Sequence, residues 1–155
     1  MSECSFSNSV ENELRENGVY ASVTKGTSMQ PLFKTNRDMI ILRKPSAELK
    51  KYDVVLYRTN AGKYVLHRIV KVTSKQYIIR GDNTYVLEYV DKDRIIAVLS
   101  EFNRKGKKRS VDAISYRIYS RVWNFIYPIR WMYVKLRSFA ASIYRKLFKK
   151  SKEQE

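Results

Sequence analysis

Residues 63–72, Lys-Tyr-Val-Leu-His-Arg-Ile-Val-Lys-Val, form a stretch with the pattern of a long β-strand. β-Branched and aromatic residues dominate it, and Asn60-Ala61-Gly62 just before it is typical of a hairpin turn. Alternate side chains of an extended strand share one face, so Val65, His67 and Ile69 are predicted to lie together on the apolar side. The only histidine of the chain is therefore expected to be partly buried in a β-sheet.

Similar short runs occur on both sides of this strand, with turn signals at about ten-residue spacing. They are residues 19–23, 38–43, 53–57, 76–80 and 94–99. Repeated short strands of this kind favour an antiparallel sheet or a small barrel. The chain is 155 residues long, the size of one ordinary domain, so we predict a single, mainly β domain with helices at its ends.

Two helical regions are predicted outside the sheet. Residues 1–18 form a lead-in whose helix runs from the N-cap residue Ser9 to the C-cap residue Gly18. Between residues 114 and 150 apolar residues recur at a helical period, and Pro128 is expected to kink this helix into two pieces. The apolar positions are 118, 122, 125, 129, 132, 136, 139, 143 and 147.

The positive charge of the chain is concentrated near its C-terminus. The formal net charge is +16; residues 1–101 carry 16 Lys and Arg against 12 Asp and Glu, whereas residues 102–155 carry 15 against 3. We therefore predict a basic linker at residues 103–113 and a basic, aromatic, amphipathic tail at residues 114–155. Such a composition is typical of a helix that lies in a membrane interface.

No transmembrane helix is expected, because the charge-free runs near the C-terminus are much shorter than the roughly 20 residues that span a bilayer. Residues 1–17 are polar and acidic and contain no apolar run for a signal peptide or an anchor. We expect peripheral attachment to an anionic membrane surface through residues 114–150, on the cytoplasmic face. A tail that packs back on protein is the alternative, and no nucleic acid partner is expected.

Cysteine and histidine are too scarce for a metal centre of the usual kind. A single cysteine, Cys4, cannot form an internal disulfide, and one Cys with one His does not reach the ligand count of a zinc site. The sequence therefore predicts neither a metal nor a cofactor.

Three polar blocks carry the candidate chemistry. Gly26-Thr27-Ser28-Met29-Gln30-Pro31 comes first, the strand containing His67 second, and Arg80-Gly81-Asp82-Asn83 third. A serine hydroxyl is a poor nucleophile until a neighbouring base takes its proton, and His67 is the one imidazole available to Ser28. Taken alone, Ser28 would be interpreted as a turn residue; the three blocks together indicate a nucleophile and its base.

In this order, Ser-x-Met-x-Pro, His-Arg-Ile-Val and Gly-Asp-Asn resemble the signal peptidase I superfamily of serine endopeptidases, over roughly residues 20–102. The histidine is similar to the Ser-His branch, which includes the signal peptidases of the endoplasmic reticulum, archaea and some Gram-positive bacteria. The common bacterial enzymes and the LexA-like repressors carry a lysine there. The resemblance implies a small antiparallel peptidase domain at residues 19–102 that removes signal or leader peptides from precursor proteins, cutting after a small residue.

The resemblance also implies roles for the individual residues. Ser28 would be the nucleophile and His67 the general base. Asp82 is the first choice for the acid that orients His67, because it belongs to the Gly-Asp-Asn block. Glu88 is the alternative, because the orienting aspartate of the endoplasmic reticulum enzymes lies a few residues beyond that block.

Residues beside the serine are candidates for the oxyanion hole and the substrate site. Related bacterial enzymes often have a hydroxyl two residues before the nucleophile, where this chain has Gly26, so the expected donors are the Ser28 N–H and the Thr27 hydroxyl. Met29 and Pro31 are the predicted substrate-binding residues: Met29 is expected to line an apolar pocket, and Pro31 to keep the loop rigid.

The remaining charged residues near these blocks are predicted to have other roles. Lys25, Arg68 and Arg80 are expected to be solvated charges, and Asp38 and Asp53 to be structural. A function of a different class also stays open, in which the chain is a non-enzymatic regulatory or binding module of LexA-like fold whose basic tail binds nucleic acid or membrane.

Overall fold

The computed structural model describes the backbone of residues 3–152 and the side chains of residues 10–141 and 144. Predictions that concern the side chains of Cys4 and Ser9, or those at positions 143 and 145–150, therefore lie outside the described residues. The chain forms two units that meet within a helix, residues 1–121 and residues 122–155.

Eight strands form one antiparallel sheet in the first unit, which confirms the prediction of a mainly β fold. The strands are β1 (Val19–Val23), β2 (Met39–Arg43), β3 (Val54–Arg58), β4 (Tyr64–Val72), β5 (Gln76–Arg80), β6 (Glu88–Asp91), β7 (Ile95–Arg104) and β8 (Lys107–Ser110). Their order in space is β1-β2-β7-β3-β4-β5-β6, and β8 pairs with β7. A short 3₁₀ turn, Lys92–Arg94, connects β6 to β7.

Residues 103–110 of the predicted basic linker are part of this sheet instead, and residues 111–113 form the turn that follows it. Strand β7 continues through Arg104, and Lys105 and Gly106 adopt φ angles of 54° and 77° in the turn that leads into β8. The three cations of β8 are exposed to solvent. A charged strand without a buried face has the composition of a linker, so pairing with β7 could not be predicted from residue types alone.

The N-terminal helix α1 (Glu3–Glu16) is a structural part of the first unit rather than a peripheral lead-in. Val10 and Leu14 are each 1% exposed and belong to a core cluster that also contains Phe33, Leu42 and Phe102. A second core cluster lies around Tyr57 and Ile69. Fully burying a side chain the size of Leu stabilises a fold by roughly 1.5 to 3 kcal/mol. Burial of Val10 and Leu14 therefore means that α1 contributes to the stability of this core.

Two helices follow the sheet, as the position of Pro128 predicts. Helix α2 (Ile114–Phe125) ends at a break at Ile126, and helix α3 (Tyr127–Lys152) begins directly after it. Pro128 lies in the first turn of α3, where the missing N–H costs no helical hydrogen bond. Within the described residues, no helix has the length and apolar composition needed to cross a membrane.

Candidate active site

Ser28 lies on the loop that joins β1 to β2, here called the Ser28 loop (residues 24–38). The ends of this loop are tied together by Thr24, whose N–H donates to the carbonyl oxygen of Asp38 at 2.9 Å. The Thr24 hydroxyl also contacts the carbonyl oxygens of Lys34 and Asp38, both at 3.1 Å. Ser28 therefore lies on a loop whose two ends are held together by hydrogen bonds.

Asp38 is structural, as predicted. Its carboxylate is fully buried and accepts hydrogen bonds from the Lys34 N–H at 2.8 Å and from Arg37 Nε at 2.7 Å. The hydrogen bond from Arg37 outweighs the effect of burial and lowers the pKa of Asp38 to about 2. Asp53 likewise accepts the N–H of Lys50, at 2.7 Å, in the turn before β3.

His67 lies in β4 on the apolar face with Ile69, and it is only 6% exposed, which confirms the predicted burial. Its Nδ1 is 3.0 Å from Glu88 Oε1. The hydroxyl of Tyr57 donates to the other oxygen of this carboxylate, Oε2, and lies 3.4 Å from His67 Nδ1. The Nδ1 side of the imidazole is thus occupied by a carboxylate and a phenol.

Strand pairing brings these three residues together. In β3, Tyr57 is paired with Val65, which shares a face of β4 with His67. Glu88 of β6 is paired with Ile79 of β5, and Ile79 is paired with Ile69, two residues beyond the histidine. The contact therefore depends on the register of four neighbouring strands.

The electrostatics of the site favour a neutral imidazole. Burial lowers the pKa of His67, and the negative charge of Glu88 opposes that shift without reversing it. Burial and the adjacent Glu88 carboxylate raise the pKa of Tyr57, so its phenol keeps its proton and remains a donor. Glu88 then accepts the proton of His67 Nδ1, which leaves the lone pair on Nε2.

The Nε2 side of His67 faces Gly81. A Cβ on Gly81 would lie 3.0 Å from His67 Nε2 and 2.7 Å from the carbonyl oxygen of Ser28, so only glycine fits between them. The Asn83 N–H donates to that same carbonyl oxygen at 2.7 Å. The structure thus brings the three polar blocks together around one glycine.

Ser28 and His67 flank Gly81, although no hydrogen bond joins the Ser28 hydroxyl to the imidazole among the described residues. Catalytic hydrogen bonds are often long without a substrate and tighten when one binds. The Ser28 side chain is half-exposed, so a ligand can reach it. The arrangement places the Ser28 backbone and an oriented, neutral imidazole on either side of Gly81.

Asp82 is held by Arg68 and not by His67. Arg68 donates from Nε and Nη2 to the two carboxylate oxygens, both at 2.7 Å. The expectation of solvated arginines is wrong, because Arg68 is fully buried and Arg80 is 7% exposed. Arg68 points to the opposite face of β4 from His67, and that face is covered by α2.

The backbone around the serine retains a donor for an oxyanion. In the described part of the chain, no hydrogen bond uses the N–H of Ser28, and the Thr27 side chain is exposed. Gly26 has a φ of 77°, a conformation that other residues rarely adopt. Both predicted donors, Ser28 and Thr27, therefore lie on the accessible side of the loop.

A mainly apolar cavity of about 290 Å³ opens beside Ser28. Met29 is 6% exposed and forms part of its wall, whereas Pro31, which follows a cis peptide bond, is exposed and lies outside the lining. The exposed Lys25 is at its edge. The other apolar residues of the wall are Val10, Tyr20, Val23, Phe33, Ile40, Leu42, Leu56, Tyr64, Val65 and Leu66.

Tyr57 was not predicted as a site residue, because the sequence shows only that it belongs to a predicted strand. Glu88 was predicted as the second choice, and the structure places it, not Asp82, against the imidazole. Across the described residues, no group of three His, Cys, Asp or Glu side chains is close enough to hold a metal ion.

No protein-family model and no curated protein matches this chain. The resemblance to signal peptidases therefore rests on the three sequence blocks alone.

Proposed function

We propose that this chain is a serine endopeptidase that cleaves signal or leader peptides from precursor proteins. In this proposal Ser28 is the nucleophile, His67 the general base and Glu88 the residue that orients the imidazole. The observation that carries the proposal is the fixed position of His67, whose Nδ1 contacts Glu88 while its Nε2 faces the glycine that touches Ser28.

The acylation step follows from this arrangement. His67 Nε2 takes the proton of the Ser28 hydroxyl as Oγ bonds to the scissile carbonyl carbon. The carbonyl oxygen becomes an oxyanion, which accepts a hydrogen bond from the Ser28 N–H. Glu88 stabilises the imidazolium that forms. The imidazolium then protonates the leaving amine as the C–N bond breaks.

Deacylation uses the same residues in reverse order. Water replaces the amine, His67 takes a proton from it, and the resulting hydroxide attacks the ester carbon. The ester bond breaks, and the proton returns to Ser28 Oγ. Water is the one co-reactant, and with it the protons balance.

The apolar cavity supports a peptide substrate. It lies between the Ser28 loop and the edge strand β1, so it can take an apolar side chain of a peptide whose carbonyl reaches Ser28. A cut after a small residue is the rule that the family resemblance suggests. Signal and leader peptides combine apolar and small residues near the cut, which suits this cavity.

Cleavage of a leader-like peptide library, followed by mass spectrometry, tests the proposal. Wild type is compared in detergent with Ser28→Ala, His67→Ala and the control Ser46→Ala, which removes an exposed hydroxyl. Wild type and the control are expected to cut the same bonds, and each site variant is expected to lose at least 1,000-fold in kcat/KM. Equal cleavage by the two site variants and wild type would rule out the dyad.

We further propose that the tail attaches the enzyme to an anionic membrane surface. From residue 113 to residue 152 the sequence contains no Asp or Glu and ten Lys and Arg. Large apolar side chains of α3 are exposed beside these cations, including Trp131, Leu136 and Phe139. Lys and Arg side chains bind anionic lipid headgroups, and aromatic rings enter the headgroup region. The cations and the exposed apolar side chains of α3 therefore both suit an anionic membrane surface.

A further inference from the structure

We infer that α2 is a positioning element of the candidate active site, acting through the buried pair of Arg68 and Asp82. The inference rests on the proposed function, and it assigns a role to three hydroxyl groups of the helix, those of Tyr116, Tyr119 and Ser120. None of these residues touches the reacting atoms.

Arg68 depends on α2 for part of its hydrogen bonding. Its Nη1 donates to the backbone carbonyl of Tyr52 at 2.9 Å, to Ser120 Oγ at 2.9 Å and to the Tyr116 hydroxyl at 3.2 Å. Two of these three acceptors belong to the helix. Nη1 has two hydrogens for these three acceptors, so loss of both helix hydroxyls would leave only the Tyr52 carbonyl and one N–H unpaired away from water.

Asp82 is contacted by the same helix. The Tyr119 hydroxyl donates to Asp82 Oδ2 at 3.2 Å, and burial together with the nearby carboxylate raises the pKa of Tyr119, which keeps the phenol a donor. Tyr116, Tyr119 and Ser120 are spaced three and four residues apart and so lie on one face of α2. Ile118, on another face, is 56% exposed.

The position of Asp82 determines two contacts of the active site. Its neighbour Gly81 separates His67 Nε2 from the Ser28 carbonyl oxygen, and its other neighbour, Asn83, donates to that oxygen. A displacement of Asp82 therefore moves both sides of the Ser28 and His67 arrangement. Small displacements of this kind change rates by large factors, because attack requires near-contact geometry.

The three hydroxyl groups of α2 hold Arg68 and Asp82 in position, which apolar packing could not do. An apolar face on α2 would bury equal area but would leave Arg68 and Asp82 short of partners. The groups that directly contact His67 are on other elements: Glu88 in β6 and Tyr57 in β3. The negative charge of Asp82, after β5, acts on the imidazole without such a contact and opposes the lowering of its pKa. Loss of the α2 hydroxyls thus leaves Glu88 and Tyr57 in place and acts on the site through the position of Asp82.

The test uses the full chain and the fact that His67 is its only histidine. Proton NMR titration of the imidazole, in protein without added histidines, follows His67 directly. The variants are Tyr119→Phe, the milder change, and Tyr119→Phe combined with Ser120→Ala; Ser115→Ala, an exposed serine of the same helix, is the control. Peptide cleavage and thermal unfolding are measured on the same samples.

We expect the pKa of His67 to rise in both variants toward its ordinary value of 6.5, because looser packing admits water and reduces the effect of burial. The double variant is expected to lose about tenfold or more in kcat, with KM within about twofold of wild type. Folded variants whose histidine titration and kcat match the control would overturn the inference. If the wild type itself shows no Ser28-dependent cleavage, the proposed function fails, and the titration alone still decides whether α2 positions the site.

Discussion

At the scale of single residues, the two carboxylates near His67 have different partners. Glu88 shares its oxygens between the imidazole and Tyr57, whereas Asp82 is bound by Arg68 at 2.7 Å from two nitrogens. Asp82 is thus held from the opposite face of β4, whereas Glu88 lies 3.0 Å from the imidazole. Glu88 is therefore the residue whose removal should alter the imidazole most.

Substitution Glu88→Gln is expected to lower kcat by about 100-fold or more. The glutamine amide can donate to Nδ1, which moves the imidazole proton to Nε2, where it faces Ser28. Because Glu88 raises the pKa of His67, its loss lowers that pKa further, and the acid limb of the kcat/KM profile moves to lower pH. Rate measurements across the pH range check both effects.

Glu48→Gln is the matched control for this change, because Glu48 is exposed and its nearest cation, Lys92, is 3.7 Å away. Its kcat and pH profile should match those of wild type. A Glu88→Gln enzyme with the control's profile would show that Glu88 does not orient His67.

At the scale of elements, the Ser28 loop is stabilised at its base by Asp38. Its buried carboxylate joins the Lys34 N–H, the Arg37 side chain and the Lys105 N–H at 3.4 Å, and so connects the loop to the turn between β7 and β8. Sequence reasoning predicted a structural role for Asp38. The connection to Lys105 required the tertiary structure.

Substitution Asp38→Asn is expected to lower the free energy of unfolding at pH 7 by roughly 1 to 2 kcal/mol. We expect a value near the lower figure, because the partner cation, Arg37, is partly exposed and its attraction is screened by water. The pKa of Asp38 falls from 3.8 to about 2 on folding, so its stabilising effect is complete above about pH 4 and is lost as pH falls to about 2. The difference between wild type and variant should therefore shrink at low pH.

Denaturant unfolding at pH 7 and near pH 2 measures this difference. Asp93→Asn, which removes an exposed carboxylate, is the control and should leave the stability at pH 7 nearly unchanged. A pH-independent loss for Asp38→Asn would contradict the ionic explanation.

Over the whole molecule, the candidate active site and most of the excess positive charge belong to different parts of the chain. The candidate active site lies among residues 28–88, whereas most of the excess positive charge lies beyond residue 101. In α3, Lys135 and Arg137 are exposed, and Lys135 lies 5.4 Å from the centre of the Trp131 ring. This pairing of a cation with an aromatic ring suits an interface between water and lipid.

Substitution of Lys135 and Arg137 together by Gln is expected to weaken binding to phosphatidylserine-containing vesicles about 30-fold, at about 1 kcal/mol for each cation near the surface. Lys63→Gln with Lys75→Gln removes two exposed cations of the first unit and serves as the control. Co-sedimentation at fixed ionic strength measures both. Equal weakening by the control pair, or tighter binding to duplex DNA at the same ionic strength, would contradict attachment by the tail.

Four features could be predicted from the residues alone: the strand-rich fold, the burial of His67, the two-piece helical tail and the distribution of charge. These features depend on periodicity and composition, which are local properties of the chain. Even so, strands β6 and β8 escaped prediction because short or highly charged strands lack a clear alternation of apolar residues.

The three-dimensional fold was needed to show which acid contacts His67, that Tyr57 donates to this acid, and that Arg68 is buried under α2. Each of these facts depends on strand register and on which helix covers which face of the sheet. The register Ile69–Ile79–Glu88 places Glu88 beside the imidazole, although Asp82 is nearer to it in sequence. Distance along the chain does not determine contact across a sheet, because neighbouring strands bring together residues that are far apart in sequence.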